Sequence, residues 1–287
     1  MKLQNLVSNR LLALATAVLI SAGLTTANAT EPCDDFGECK VLIEINSTDG
    51  DIGFHFLMDG DDLRYAALYN PKHRKIFSYF VRRELRKQTL TETFAESAEP
   101  LCWDDPEEDG EDIVTLEEFL ERWSAGAYHF FGISAGWEFS HGASILSFAL
   151  PAAPDELDFD GSVVSWVAGD DLGNCAEGED VEDEIPNLED VLHLLDEHPE
   201  EVEVASWEVV LEPDVEDGDP RGALVFSIRV PPGQLSVTVP ADYLASLPDD
   251  TPVKIEVGAI GVDDNATFSE EDGFCIVNEG DGCDEEE

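Results

Sequence analysis

The chain has 287 residues, with 15 Lys and Arg against 65 Asp and Glu and a formal net charge of −50. That charge excludes nonspecific nucleic-acid binding, which needs a basic face to release phosphate counterions, and it disfavours anionic membrane surfaces. Full disorder is excluded as well, because 43% hydrophobic residues with 15 Phe and 5 Trp can build a core.

Residues 1–29 read as a secretory signal peptide. Lys2 and Arg10, with no acid between them, flank the start of the apolar run Leu11 to Leu24, which is too short to span a bilayer comfortably. Ala27-Asn28-Ala29 then supplies a small-x-small cleavage site. Cleavage leaves 258 residues, 13 basic against 65 acidic, in the periplasm or outside the cell, with no membrane insertion. Cys33, Cys39, Cys102, Cys175, Cys275 and Cys283 all fall in this mature part, so disulfides are expected. Proximity favours Cys33–Cys39 and Cys275–Cys283, leaving Cys102–Cys175, although spacing alone leaves other connectivities open. No CxxC occurs, which argues against a redox dithiol or a Cys-type zinc site.

From Lys40 the pattern is one of short strands and turns. Val41 to Ile45, Gly53 to Met58, Leu63 to Tyr69 and Lys75 to Val81 are predicted strands, separated by Asn, Asp, Gly and Pro turns. Thr115-Leu116-Glu117-Glu118 is a capping box, and Leu116, Phe119, Leu120 and Trp123 form the apolar stripe of a helix behind it. Strands resume at Gly126 to Phe131 and Ser144 to Leu150, and Pro151 to Pro154 reads as a linker. Residues 30–150 are therefore expected to form a β-sandwich-like domain with one helix. Past the linker, Val163 to Trp166 opens a second unit, and the acidic stretch Glu177 to Glu184 leads into a short helix capped by Asn187. Strands are predicted again at Ala205 to Leu211, Gly222 to Val230, Gln234 to Val239 and Val253 to Val262. Residues 279–287 form an acidic tail.

Trp166, the strand around Trp207, Ser236-Val-Thr-Val-Pro240, Leu247-Pro-Asp-Asp-Thr-Pro252 and Lys254 to Val262 carry a likeness. Residues 151–278, with a helical acidic insertion at 173–204, resemble a fibronectin type III domain, the immunoglobulin-like sandwich. One departure is that Val253 stands where that family usually has Tyr, so the tyrosine corner is missing. Residues 40–150 resemble the module that precedes such a domain in some uncharacterised exported bacterial proteins, on Thr48 to His55, Glu96 to Pro100 and Gly126 to Gly132. The resemblance implies a mainly β protein of two sandwich-like domains with two short helices. It also implies a role as a spacer or a protein- or glycan-contact module, and no activity comes with it.

Gly132-Ile133-Ser134-Ala135-Gly136 matches the GxSxG nucleophile elbow. The sequence after it is strand-like and Gly-broken, and no strand–helix alternation surrounds it, so a hairpin turn is expected. Carboxylate pairs are too abundant here to indicate glycosidase chemistry, and no HExxH is present. Asp49, Asp51, Asp59 and Asp61 lie in two Gly-containing turns whose hard oxygen ligands suit calcium, although Asp-Gly is also common turn chemistry. No other cofactor is implied.

The charge is unevenly spread. Between Leu63 and Gln88 lie Arg64, Lys72, Arg74, Lys75, Arg82, Arg83, Arg86 and Lys87 against the single acid Glu84, a net +7. The rest of the mature chain carries 5 basic against 64 acidic residues. These cations are expected to pair with nearby acids. The functional alternative is a docking face for an anionic partner, including a second copy of the chain. Taken together, the reading is an exported noncatalytic binding, scaffold or adhesion-type protein with a protein or glycan partner. The alternative is an extracytoplasmic hydrolase with its site near Ser134.

Overall fold

The computed structural model describes residues 33, 35–102, 113–173, 175, 188–216 and 218–277. The expected signal peptide, Asn187, the stretch Glu177 to Glu184, Cys283 and the acidic tail lie outside them.

Strand alternation sets the layers. In β1 (Glu38–Asn46) Cys39, Val41, Ile43 and Ile45 are buried, while Lys40, Leu42 and Glu44 point to the opposite face. β2 (Asp51–Tyr69) repeats this with Ile52, Phe54, Phe56 and Met58 inside. The chain continues through β3 (Lys75–Phe80), a short helix α1 (Leu85–Gln88), β4 (Leu90–Glu96), helix α2 (Leu116–Arg122), β5 (Gly126–Ser134) and β6 (Phe139–Leu146). After β7 (Pro154–Phe159) and β8 (Val163–Ala168) come β9 (Val204–Pro213), β10 (Phe226–Val230), β11 (Ser236–Thr238), β12 (Pro252–Gly261) and β13 (Ala266–Cys275).

The protein is mainly β, with two sheets and few helices. The large sheet runs β10-β9-β12-β13-β1-β2-β5-β6, with β3 and β4 paired to the other edge of β2; the small one is β11-β8-β7. β1 lies antiparallel to β2 but parallel to β13, with Glu44 opposite Ala266. One sheet thus joins the first and last described strands.

Two main apolar cores lie against it. The first gathers β1, β2, β5 and β6 around Ile43, Met58, Leu68 and Phe130, closed by Leu116, Phe119 and Leu120 of α2. The Thr115 hydroxyl accepts from the Glu118 amide at 3.3 Å, so the capping box starts the helix where its spacing predicts. Trp123 stacks on Phe54 at 4.0 Å between ring centroids. Burying each large side chain of this kind contributes about 1.5–3 kcal/mol. The second core fills the space between the two sheets, with Trp166 edge-on to Trp207 at 5.9 Å and Val209, Ile255 and Val257 fully buried. The expected insertion reaches back to the first core: Cys175 and Val191 are buried in it, beside Leu172 just before the insertion.

Cys33–Cys39, the pair that proximity favours, and Cys102–Cys175, the pair that it leaves over, are closed disulfides. Cys275 is also disulfide-bonded, and the Cys283 end of its expected pair lies outside the described residues. Closed disulfides belong to an oxidising compartment.

Four features differ from expectation. Asp59 to Asp62 does not end a strand: β2 passes through it, with a register shift against β4 and a left-handed Asp62 at φ 53°. Gly60 sits so close to Phe36 that a Cβ would come within 2.7 Å of its ring, so turn residues here bend a strand instead of reversing it. β4, β7 and β13 were not predicted; acidic and polar residues on their solvent sides mask the alternation. Pro151 to Pro154 is packed, with Ala152 and Ala153 buried and Pro154 opening β7. Beyond the two predicted helices, α1 and a turn of helix at Ala241–Leu244 also form, and the helix after Asn187 is only Leu188–Val191 continued by a 3-10 turn.

Candidate functional site

β2, β3, β5 and β6 turn one side of their residues to the first core and the other to solvent. Register places Phe80, Tyr65, Ile133 and Phe139 in one row across the outer face. Ser78, Ala67, Phe131 and His141 form the next row, and Lys75, Tyr69, His129 and Ala143 a third. The rings are mutually supported: Phe131 lies 6.2 Å from Tyr65, 5.8 Å from Phe139 and 5.1 Å from His141, and His73 stacks on His129 at 5.8 Å. Phe80 is 59% exposed, Phe139 62% and Ile145 65%. Large apolar groups clustered on an open face mark contact surfaces more often than a lone exposed Leu does.

The hairpin joining β5 and β6 carries the GxSxG segment. Ser134 Oγ accepts from the amides of Gly136 and Glu138 at 3.1 and 3.2 Å, so its hydroxyl shapes a turn, as its strand-like surroundings predict. The tip holds Trp137 at φ 66° and 72% exposed. A left-handed Trp costs about 1–3 kcal/mol and here returns no burial to the fold.

The cations border this face at both ends of β3. Lys72 and Arg74 sit in the β2–β3 turn, Lys75 opens β3, and Arg82, Arg83, Arg86 and Lys87 lie in the β3–β4 connection; all seven are exposed. Arg64 on β2 is half-buried and leaves its Nε without a hydrogen-bond partner. Among the described residues none of these eight side chains lies within ion-pair distance of a carboxylate. By contrast Lys40, Arg122, Arg221, Arg229 and Lys254, the other basic residues after Arg10, are all paired. Among the described residues the expected internal neutralisation is therefore absent. Among the described residues β3 pairs only with β2, which leaves its outer edge open.

The side of the large sheet turned away from the first core also carries, over β4, β2, β1, β13, β12, β9 and β10, an acidic groove of about 420 Å³. At one end His55, 3% exposed, lies between two carboxylates: Nε2 is 2.9 Å from Glu99 Oε1 and Nδ1 is 3.7 Å from Glu44 Oε2. Burial, with Glu99, Glu96 and Glu208 nearby, holds the Glu44 carboxyl above its ordinary range, against the pull of His55. Burial, then Glu270, pushes Glu256 up to about 7.

Of the predicted calcium residues, Asp49 and Asp51 lie where β1 turns into β2, and Asp59 and Asp61 at the β2 bend, roughly 25 Å along the strand. Asp49 accepts from Asn46 Nδ2 at 2.9 Å, and burial, then Glu99, pushes Asp51 up to about 6. The structure brings neither pair into a group of three ligands among the described residues; the side chains that converge are Glu44, His55 and Glu99. Sequence reasoning missed that group because Glu99 comes from beyond β4. Ser97 docks there on β2, its amide donating to Phe54 O and its hydroxyl accepting from Phe54 N.

No protein-family model matches the chain, and no curated protein matches it either.

Proposed function

We propose that this is an exported, noncatalytic binding protein that captures an acidic protein segment on the aromatic face and open β3 edge, with the seven exposed unpaired cations at the two ends of β3 as its charge-reading rim. The observation that carries the proposal is that selective lack of pairing. Lys40, Arg122, Arg221, Arg229 and Lys254 each have an acid, whereas these cations have none among the described residues. Tyr, Phe, Trp and Arg are the residues enriched at protein contact centres, which favours a protein over a polysaccharide. An edge strand offers backbone hydrogen bonds to an extended segment. Pairing of β3 with β3 of a second copy would bring cationic turns together, so the occupant is acidic. The resemblance of residues 151–278 to fibronectin type III domains supports a contact role, and the closed disulfides support the periplasm or the cell exterior.

The test is fluorescence anisotropy of a labelled extended peptide of alternating Glu and Val, at low and high salt. Wild type should bind it, more weakly at high salt, and reversal of Arg82, Arg83, Arg86 and Lys87 to Glu should cost at least about tenfold. Phe80→Ala should weaken binding without changing the salt dependence. Binding of polygalacturonate but not the peptide would overturn the protein-segment reading. Equal peptide binding by the charge-reversed chain would overturn the surface itself.

A further inference from the structure

The acidic groove over β1, β2 and β4, apart from the aromatic surface, carries a separate inference. We propose that Glu44 and His55, with Glu99 orienting the imidazole from behind, form a site for a single divalent transition cation of the zinc class, open to the groove on its remaining side.

The three ligand atoms lie within 4.8 Å of one another, and the central one belongs to a nearly buried imidazole. Two ligand atoms bound at about 2.0–2.2 Å to one tetrahedral zinc stand roughly 3.5 Å apart. His55 Nδ1 and Glu44 Oε2, at 3.7 Å, already have that spacing. Nε2 and Glu99, at 2.9 Å, have the spacing of a hydrogen bond. The cation therefore binds between Nδ1 and Glu44, while Nε2–H donates to Glu99, which fixes the ring and raises its basicity as a carboxylate behind a metal-bound histidine does. Imidazole selects zinc, nickel or copper over calcium, so this is not the calcium site expected at the Asp turns.

Two further observations support a cation at this point. Gly53 lies beneath the cluster, and a Cβ there would come within 2.6 Å of Glu99 Oε1 and 2.7 Å of His55 Nε2. The backbone is bare where the heads meet, and the Phe94 ring closes edge-on against the imidazole at 5.9 Å. The groove's own cations are committed elsewhere: Lys40 to Glu38 and Asp264, Arg229 to Glu208, and Lys254 to Glu212 and Glu270. Apart from His55 itself, no positive side chain among the described residues reaches Glu44 or Glu99.

Isothermal titration of the purified chain with Zn²⁺, repeated with Co²⁺ to read its visible d–d spectrum, tests the site. Wild type should bind one Zn²⁺ in the presence of excess Ca²⁺, and Co²⁺ should give a spectrum with nitrogen–oxygen character. His55→Gln and Glu44→Gln should abolish both signals. Glu99 is on an exposed loop, so Glu99→Gln folds, and it should weaken binding about 10–100-fold, as loss of an orienting carboxylate does. Asp49→Asn should bind as wild type does. No heat with wild type at millimolar Zn²⁺, or unchanged binding after Glu44→Gln and Glu99→Gln, would overturn the proposal.

Discussion

Glu256 on β12 faces the acidic groove with Glu270 beside it on β13, and Glu256→Gln isolates the cost of that arrangement. Lys254, the cation nearest to it in sequence, is bound to Glu270 at 2.9 Å and Glu212 at 3.5 Å. Glu256 is left partly buried among like charges, and its carboxyl is pushed from 4.5 up to about 7, first by burial and then by Glu270. A carboxylate raised in the folded state binds its proton more tightly there than in the unfolded chain. Stability from this group is therefore full below about pH 4.5 and falls as pH rises through about 7. The whole shift corresponds to about 3 kcal/mol, and solvent at the groove mouth screens it to about 2 kcal/mol. Urea unfolding of wild type and Glu256→Gln at pH 4.5 and pH 8 measures the effect. The variant should match wild type at the acidic pH and gain about 2 kcal/mol at pH 8, with a midpoint of thermal unfolding about 4–8 °C higher. Equal differences at the two pH values, or a loss at pH 8, would refute the reasoning.

Asn265, fully buried between β12 and β13, accepts from the Ile43 amide at 2.9 Å and donates to the Ser147 and Ala149 carbonyls. Asn265→Ala strands these groups, and should cost about 2–4 kcal/mol in urea unfolding. Replacing Cys102 and Cys175 by Ser removes a cross-link spanning 73 residues and should cost about 4 kcal/mol, against about 2 kcal/mol for the Cys33–Cys39 pair spanning 6, read from the same denaturation curves. Gly258 lies under the Phe268 ring, which a Cβ would strike, so Gly258→Ala should destabilise by about 1–3 kcal/mol with a change in aromatic circular dichroism.

The elements that the sequence made legible are those where local chemistry and tertiary role agree. β1 alternates cleanly because one side is core and the other groove, and the Thr115 capping box opens α2. Asp59-Gly60-Asp61-Asp62 misled because turn residues also serve a bulge, and only the contact of Gly60 with Phe36 decides between the two. β13, with Glu270, Glu271 and Asp272 in its second half, lacks strand propensity there and is held by β12 alongside. The cationic segment was visible as composition, but its lack of pairing was not, since pairing depends on which acids fold near it. Neither was the Glu44–His55–Glu99 group, whose members meet only through the β1–β2 register and the docking of Ser97 on β2.

The parallel pairing of β1 with β13 also governs the order of folding. β1 is made early, and its neighbour on that side begins at Ala266. Until that last strand arrives, Ile43 to Asn46 present an open apolar edge, the kind of template on which chains aggregate. Contacts separated by 222 residues, such as Asn265 to Ile43, close only when the C-terminal end is released. The chain should therefore fold slowly and after synthesis, and a copy truncated before Ala266 should depend on a chaperone to stay soluble.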